Sequence, residues 1–247
     1  MARDWGVESM RLTLFSSDSI TVSDTDWTAL TGQADATTRQ LIAGGRRYVG
    51  SYLGGQFIVA ATAQRVDVSL AWQAPEQAPQ TVVLPVAGSW EQKRDDFVAA
   101  TTSWLTSAKF PVLRIAFAAV LLLETTNVHE SYRVLKELVK SVSINPERMR
   151  ELFFRVNWPQ QSKSLGGISL NRITNWSAIQ VASVIVQMVG QAVSTSSGLP
   201  EKFAVRLEVD HNTSQENKTP IEPALLAPIY RELVDLASEN AERGEQL

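Results

Sequence analysis

The sequence predicts an α+β fold of two similar halves, each running β-α-β-β-β(-β)-α, with mainly antiparallel sheets packed by helices. Three observations carry this. Short segments alternate apolar and polar residues, as half-buried strands do. Longer segments space apolar residues three and four apart, as helices with one buried stripe do. The same order of segments then occurs twice, with the boundary near Pro111. We therefore divide the chain into residues 1–110 and 111–247, expected to form one compact unit. Consecutive strands are joined too closely for parallel crossovers, so antiparallel pairing is expected.

The first strand is "MRLTLF", where Met10, Leu12 and Leu14 alternate with Arg11 and Thr13. Ser23 or Asp24 then opens a helix, which the Gly44–Gly45 pair is expected to stop. Strands over 46–53, 56–63 and 66–73 follow, divided by Gly54–Gly55 and by a turn before Val66. A short strand is expected at "TVVLP", after a polar connector. From Trp90 the spacing is helical, with Phe97, Val98, Thr101, Trp104, Leu105 and Ala108 on one face.

The second half opens on "VLRIAFAAVLLLE", apolar at nearly every position from Ile115 to Leu123. A strand with one wet face would alternate, so this one is expected to be covered on both faces, by the other half or by another chain. Asn127 is placed to cap a helix whose stripe is Val128, Tyr132, Leu135, Leu138, Val139 and Val142. "LFFRVNW", "ISLNRITNW", "AIQVASVIVQMV" and "FAVRLEVD" read as strands. The third could equally be a buried helix, but its β-branched content favours strand. A closing helix carries Leu225, Ile229, Leu233, Leu236 and Asn240 in register, and Pro228 either kinks it or begins it.

Composition narrows the function. The chain has 247 residues, no cysteine, two histidines and a formal net charge of −3. Disulfides, thiolate metal sites and cysteine nucleophiles are thereby excluded. No dense basic footprint marks a nucleic-acid surface. The opening "MARDWGVESM" lacks an apolar signal core, and no apolar run reaches the about 20 residues of a membrane helix. A soluble cytoplasmic protein is expected, with no membrane partner.

Chemistry-bearing motifs are absent. The glycine pairs in "AGGRRY" and "SLGGIS" lack phosphate-loop spacing and read as a helix stop and a turn. No carboxylate loop or histidine cluster indicates metal, so neither metal nor cofactor is expected. The weak catalytic candidates are Asp210, His211 and Glu208. Asp210 and His211 face opposite sides if their strand continues, and cannot then orient one another. The sequence reads them as a polar strand end, with His211→Ala tolerated. His129 reads as a surface residue.

Among seven tryptophans, Trp158 precedes a proline in a polar stretch and Trp176 lies beside Arg172 and Asn175. With Arg155 and Arg172 they form the expected recognition surface. The preferred function is a non-enzymatic interaction or assembly subunit that binds a protein partner and forms a homo-oligomer. The alternatives are a ligand-binding or hydrolytic domain with a cleft near His211, and nucleic-acid binding through Arg46, Arg47, Arg65 and Arg172. The acidic balance disfavours the last.

Overall fold

The structure, a computed structural model, describes residues 3–75, 82–182, 184–189, 192–197 and 201–245. The first half contains β1 (Gly6–Ser16), α1 (Asp24–Thr31), β2 (Thr38–Ile42), β3 (Gly45–Tyr52), β4 (Gly55–Thr62), β5 (Arg65–Ala71) and α2 (Trp90–Leu105). The second contains β6 (Val112–Thr125), α3 (Val128–Leu138), β7 (Phe153–Asn157), β8 (Gln160–Gln161), β9 (Ser169–Val181), β10 (Val184–Val189), β11 (Ala192–Ser197), β12 (Lys202–Thr213) and α4 (Pro223–Arg243).

Ten strands form one antiparallel sheet in the order β2-β3-β4-β5-β1-β6-β12-β9-β7, with β8 beside β9. The fold is α+β, as the alternation and stripes require. In residues 1–110 the last strand, β5, returns beside the first, β1; in residues 111–247 β12 returns beside β6. The two sets meet along β1 and β6, so they share one sheet. β10 and β11 pair with each other as a separate hairpin.

Strand register sorts the side chains into two faces. Val59, Val68, Leu12, Phe117 and His211 lie in one row across β4, β5, β1, β6 and β12. All five are buried. Their face packs against the helices, through Phe97 and Trp104 of α2, Tyr132 and Leu135 of α3, and Ile229 and Leu233 of α4. The helices share this one core because none can bury its stripe alone. No described helix is long and apolar enough to cross a membrane.

Several elements differ from expectation. Helix α1 stops at Gly32, not at Gly44–Gly45. Gly32 takes a left-handed φ of 70°, which ends a helix at little cost only for glycine. The skipped segment, "TRQLI", is β2, an edge strand exposed at nearly every position. With neither face buried it shows no alternation to read. Gly44, at φ 72°, turns the chain from β2 into β3. Residues 82–85 of "TVVLP" form no strand, and Thr81 lies outside the described residues. Residues 178–181 finish β9 and 184–189 form β10, so strand was the correct choice there. Pro228 neither starts nor ends α4. It is exposed, like Ala224 four residues earlier, so water can satisfy the carbonyl that loses its helical bond.

The second face of β6 is covered by the other half only near its end. Leu122 packs beneath Leu84 and Val86, which come from the first half. Ala116, Ala118 and Val120 remain half-buried. Small side chains in the middle of the strand leave little apolar surface to hide.

Candidate functional site

The opposite face of the sheet carries no helix among the described residues, and Leu84 and Val86 cover it only near Leu122. Across its middle, Ile58, Ser69, Arg11, Ala118, Asp210, Ile173 and Asn157 form one row. One step along the strands, Ser9, Val120, Glu208, Asn175 and Arg155 form the next. A groove of about 210 Å³ lies here, floored by Ala118, Val120 and Ile173, with Arg11, Glu208 and Asp210 among its walls. Alternation explains the arrangement. A strand that buries Val209 and Leu207 in the core must turn Asp210 and Glu208 outward.

The groove is only partly neutralised from within. Glu208 pairs with Arg206, which also reaches Glu8 at 3.3 Å. Asp210 accepts a bond from Asn212 Nδ2 at 3.1 Å. Arg11 approaches Asp67 at 3.7 Å, but Asp67 is already held by Thr13 and Arg65. Two groups have no partner among the described residues. The Arg155 guanidinium forms no ion pair or hydrogen bond. Asn175 is only 5% exposed and its Oδ1 accepts nothing. A buried amide oxygen left unpaired costs about 1–3 kcal/mol, and Asn175 is one of six residues with such an atom among the described residues, beside Trp27, Arg65, Arg172, His211 and Asn240.

A second cavity, of about 850 Å³, lies at the sheet's end between Trp5, Val82, Leu84, Leu122 and Lys202. Its rim cation, Lys202, is already bonded to Glu124. Among the described residues no three histidine or carboxylate side chains converge as metal ligands.

The residues expected to act together are separated. Asp210 and Glu208 face the groove, whereas His211 is 0% exposed on the helix side. Its Nδ1 lies 3.2 Å from the Leu233 carbonyl. Burial pushes its pKa down to about 4; the Leu233 carbonyl works against this, Arg172 adds to it, and Asn240 opposes it. A hydrolytic trio of Asp210, His211 and Glu208 does not assemble. Truncating so enclosed a side chain leaves a void, so His211→Ala is expected to destabilise the fold.

The expected recognition surface also divides. Trp176 is 0% exposed and packs edge-to-face on Trp5, ring centres 6.5 Å apart. It faces the core because it pairs with Leu207, on the buried side of β12. Arg172 is on the same side, bonded to Gln160 at 3.0 Å. Trp158 is half-buried, and its indole N–H donates to Glu245 at 2.9 Å. Only Arg155 reaches the open face. Arg47 and Arg65 lie on the open face, while Arg46 and Arg172 lie on the other, so the four arginines form no single basic surface. Sequence reasoning missed Arg11 and Asn175. For Arg11 the signal was available in the alternation of "MRLTLF"; for Asn175 it was not, because "NRITNW" sets the apolar Ile173 on the same face and Arg172 on the core side.

No protein-family model matches the chain, and no curated protein matches it in sequence.

Proposed function

We propose that this protein is a non-enzymatic assembly subunit that binds a protein partner on the open face of its sheet. The observation that carries this reading is Asn175, a buried amide without a partner at the bottom of a groove flanked by Arg155 and Glu208. Mixed charge on a broad, helix-free face suits a protein surface, where complementary potentials fix register and exclude wrong partners. The cysteine-free chain fits a reducing, cytoplasmic setting. The parallel order of strands and helices in residues 1–110 and 111–247 supports descent from an internal repeat.

Ala118→Lys tests the reading. The new side chain can reach Asp210 across the strand pair, so the fold is retained, but it fills the groove. Partner capture by the wild type should be lost with Ala118→Lys and kept with Arg133→Glu on the exposed side of α3. Capture insensitive to Ala118→Lys would overturn it.

A further inference from the structure

The open face around β9 is complementary to itself. β9 lies between β7 and β12, and three rows cross all three strands. Phe153 aligns with Ser177 and Arg206, Arg155 with Asn175 and Glu208, and Asn157 with Ile173 and Asp210. All nine residues point away from the helices. On β7 the row ends are an exposed aromatic, a cation and an amide. On β12 they are a cation and two carboxylates. Each end on one side matches the chemistry of the end on the other.

We propose that the occupant of this face is a second copy of the chain, docked about a twofold axis that runs parallel to β9. This rests on the reading of the open face as a partner surface. Such a rotation exchanges the β7 and β12 sides and leaves β9 facing itself. Arg155 of each copy then meets Glu208 of the other, and does so twice. Phe153, 67% exposed, meets the partner guanidinium of Arg206, which favours an aromatic face. Asn157 meets Asp210. On the axis Ile173 packs on Ile173, with Asn175, 5% exposed, lying beneath the contact. The contact is isologous and closes at two copies.

Size sets the expected strength. The three rows span the five residues of β7. At about 3.3 Å per residue and 4.8 Å between strands, with side-chain reach, the patch covers about 500 Å² per copy. That lies at the small end of specific interfaces, so association in the micromolar range is expected. Aligned sheets pack within about 30° of each other, which the axis allows.

The charge pairs give a test in which wrong pairings can be repaired. Sedimentation of the wild type from low to high micromolar concentration should show a reversible dimer. Arg155→Glu and Glu208→Arg, each alone, place like charges opposite one another and should weaken the dimer about tenfold or more. Mixing the two variants restores both pairs and should yield a heterodimer. Arg155→Glu/Glu208→Arg in one chain should also dimerise. If Glu208→Arg fails to fold because Arg206 loses its partner, Phe153→Arg on the exposed edge serves instead, since it opposes Arg206 and should weaken the dimer. A wild type that stays monomeric at every concentration overturns the second copy as occupant. A wild-type dimer indifferent to Arg155→Glu and Phe153→Arg places the contact elsewhere and overturns it too. Neither result touches the capture experiment with Ala118→Lys, so failure here and failure of the open-face reading are distinguishable.

Discussion

His211 is held with its Nδ1 3.2 Å from the carbonyl oxygen of Leu233, and Arg172 is its cross-strand neighbour on β9. The ring is wholly buried and its pKa falls to about 4. The native state therefore holds this proton less tightly than the unfolded chain, where histidine titrates near 6.5. Its neutral form is fully favoured above pH 6.5. Stability should decline as pH falls from there toward 4, by about 3 kcal/mol for this group. Urea unfolding across that range measures it. In His211→Leu that part of the pH dependence should vanish; an unchanged profile would show that His211 is not its source. His211→Ala should cost about 2–4 kcal/mol at neutral pH through the void it leaves.

Glu245 gives a second acid-sensitive point, at lower pH. It is buried and accepts bonds from the Ser141 hydroxyl, from the backbone N–H groups of Lys140 and Ser141, and from the Trp158 indole. Burial alone would raise its pKa, but the donors together hold it below the usual carboxylate range. This contribution is present above the unfolded carboxylate pKa and is lost as pH falls through the folded one. Glu245→Ala leaves four donors unpaired and should lower stability by about 1–3 kcal/mol. A melting temperature equal to wild type would contradict the arrangement.

Trp176→Ala should act on stability, with a loss of about 3–5 kcal/mol, because the indole is enclosed in the core. The expected signature is a lower denaturant midpoint with normal partner binding in the folded fraction. Impaired binding at unchanged stability would return Trp176 to the surface.

Gly50→Ala tests a close approach. A Cβ at this position would lie 2.8 Å from Cζ2 of Trp27, which packs over β3. Trp27 is itself buried and has little room to move. Overpacking of this kind costs about 1–3 kcal/mol, visible as a reduced unfolding midpoint. A neutral result would mean that α1 shifts freely on the sheet.

Elements with one buried face were legible in the sequence, because alternation and stripes report burial directly. β3, β4, β5 and α2 lie within two residues of their expected bounds at nearly every end. Elements without a buried face were not: β2 is exposed at all but its last position, so no period marks it. Site residues were harder still. The polarity of Arg172 and Trp176's neighbours suggested a surface, but pairing with buried strand positions turned both toward the core. Arg155 was recognisable as outward-facing. Asn175 was not, since its lack of a partner depends on residues from three different strands.

The seam between β1 and β6 also orders events in time. β1 is made before both of its sheet neighbours, β5 and β6, which begin at residues 65 and 112. Until residue 125 has emerged, one edge of β1 has no strand to pair with, and an unpaired edge readily joins the wrong chain. The centre of the finished sheet is thus its most exposed part during assembly. Arg11 and Thr13, set among the apolar residues of β1, interrupt what would otherwise be a sticky strip.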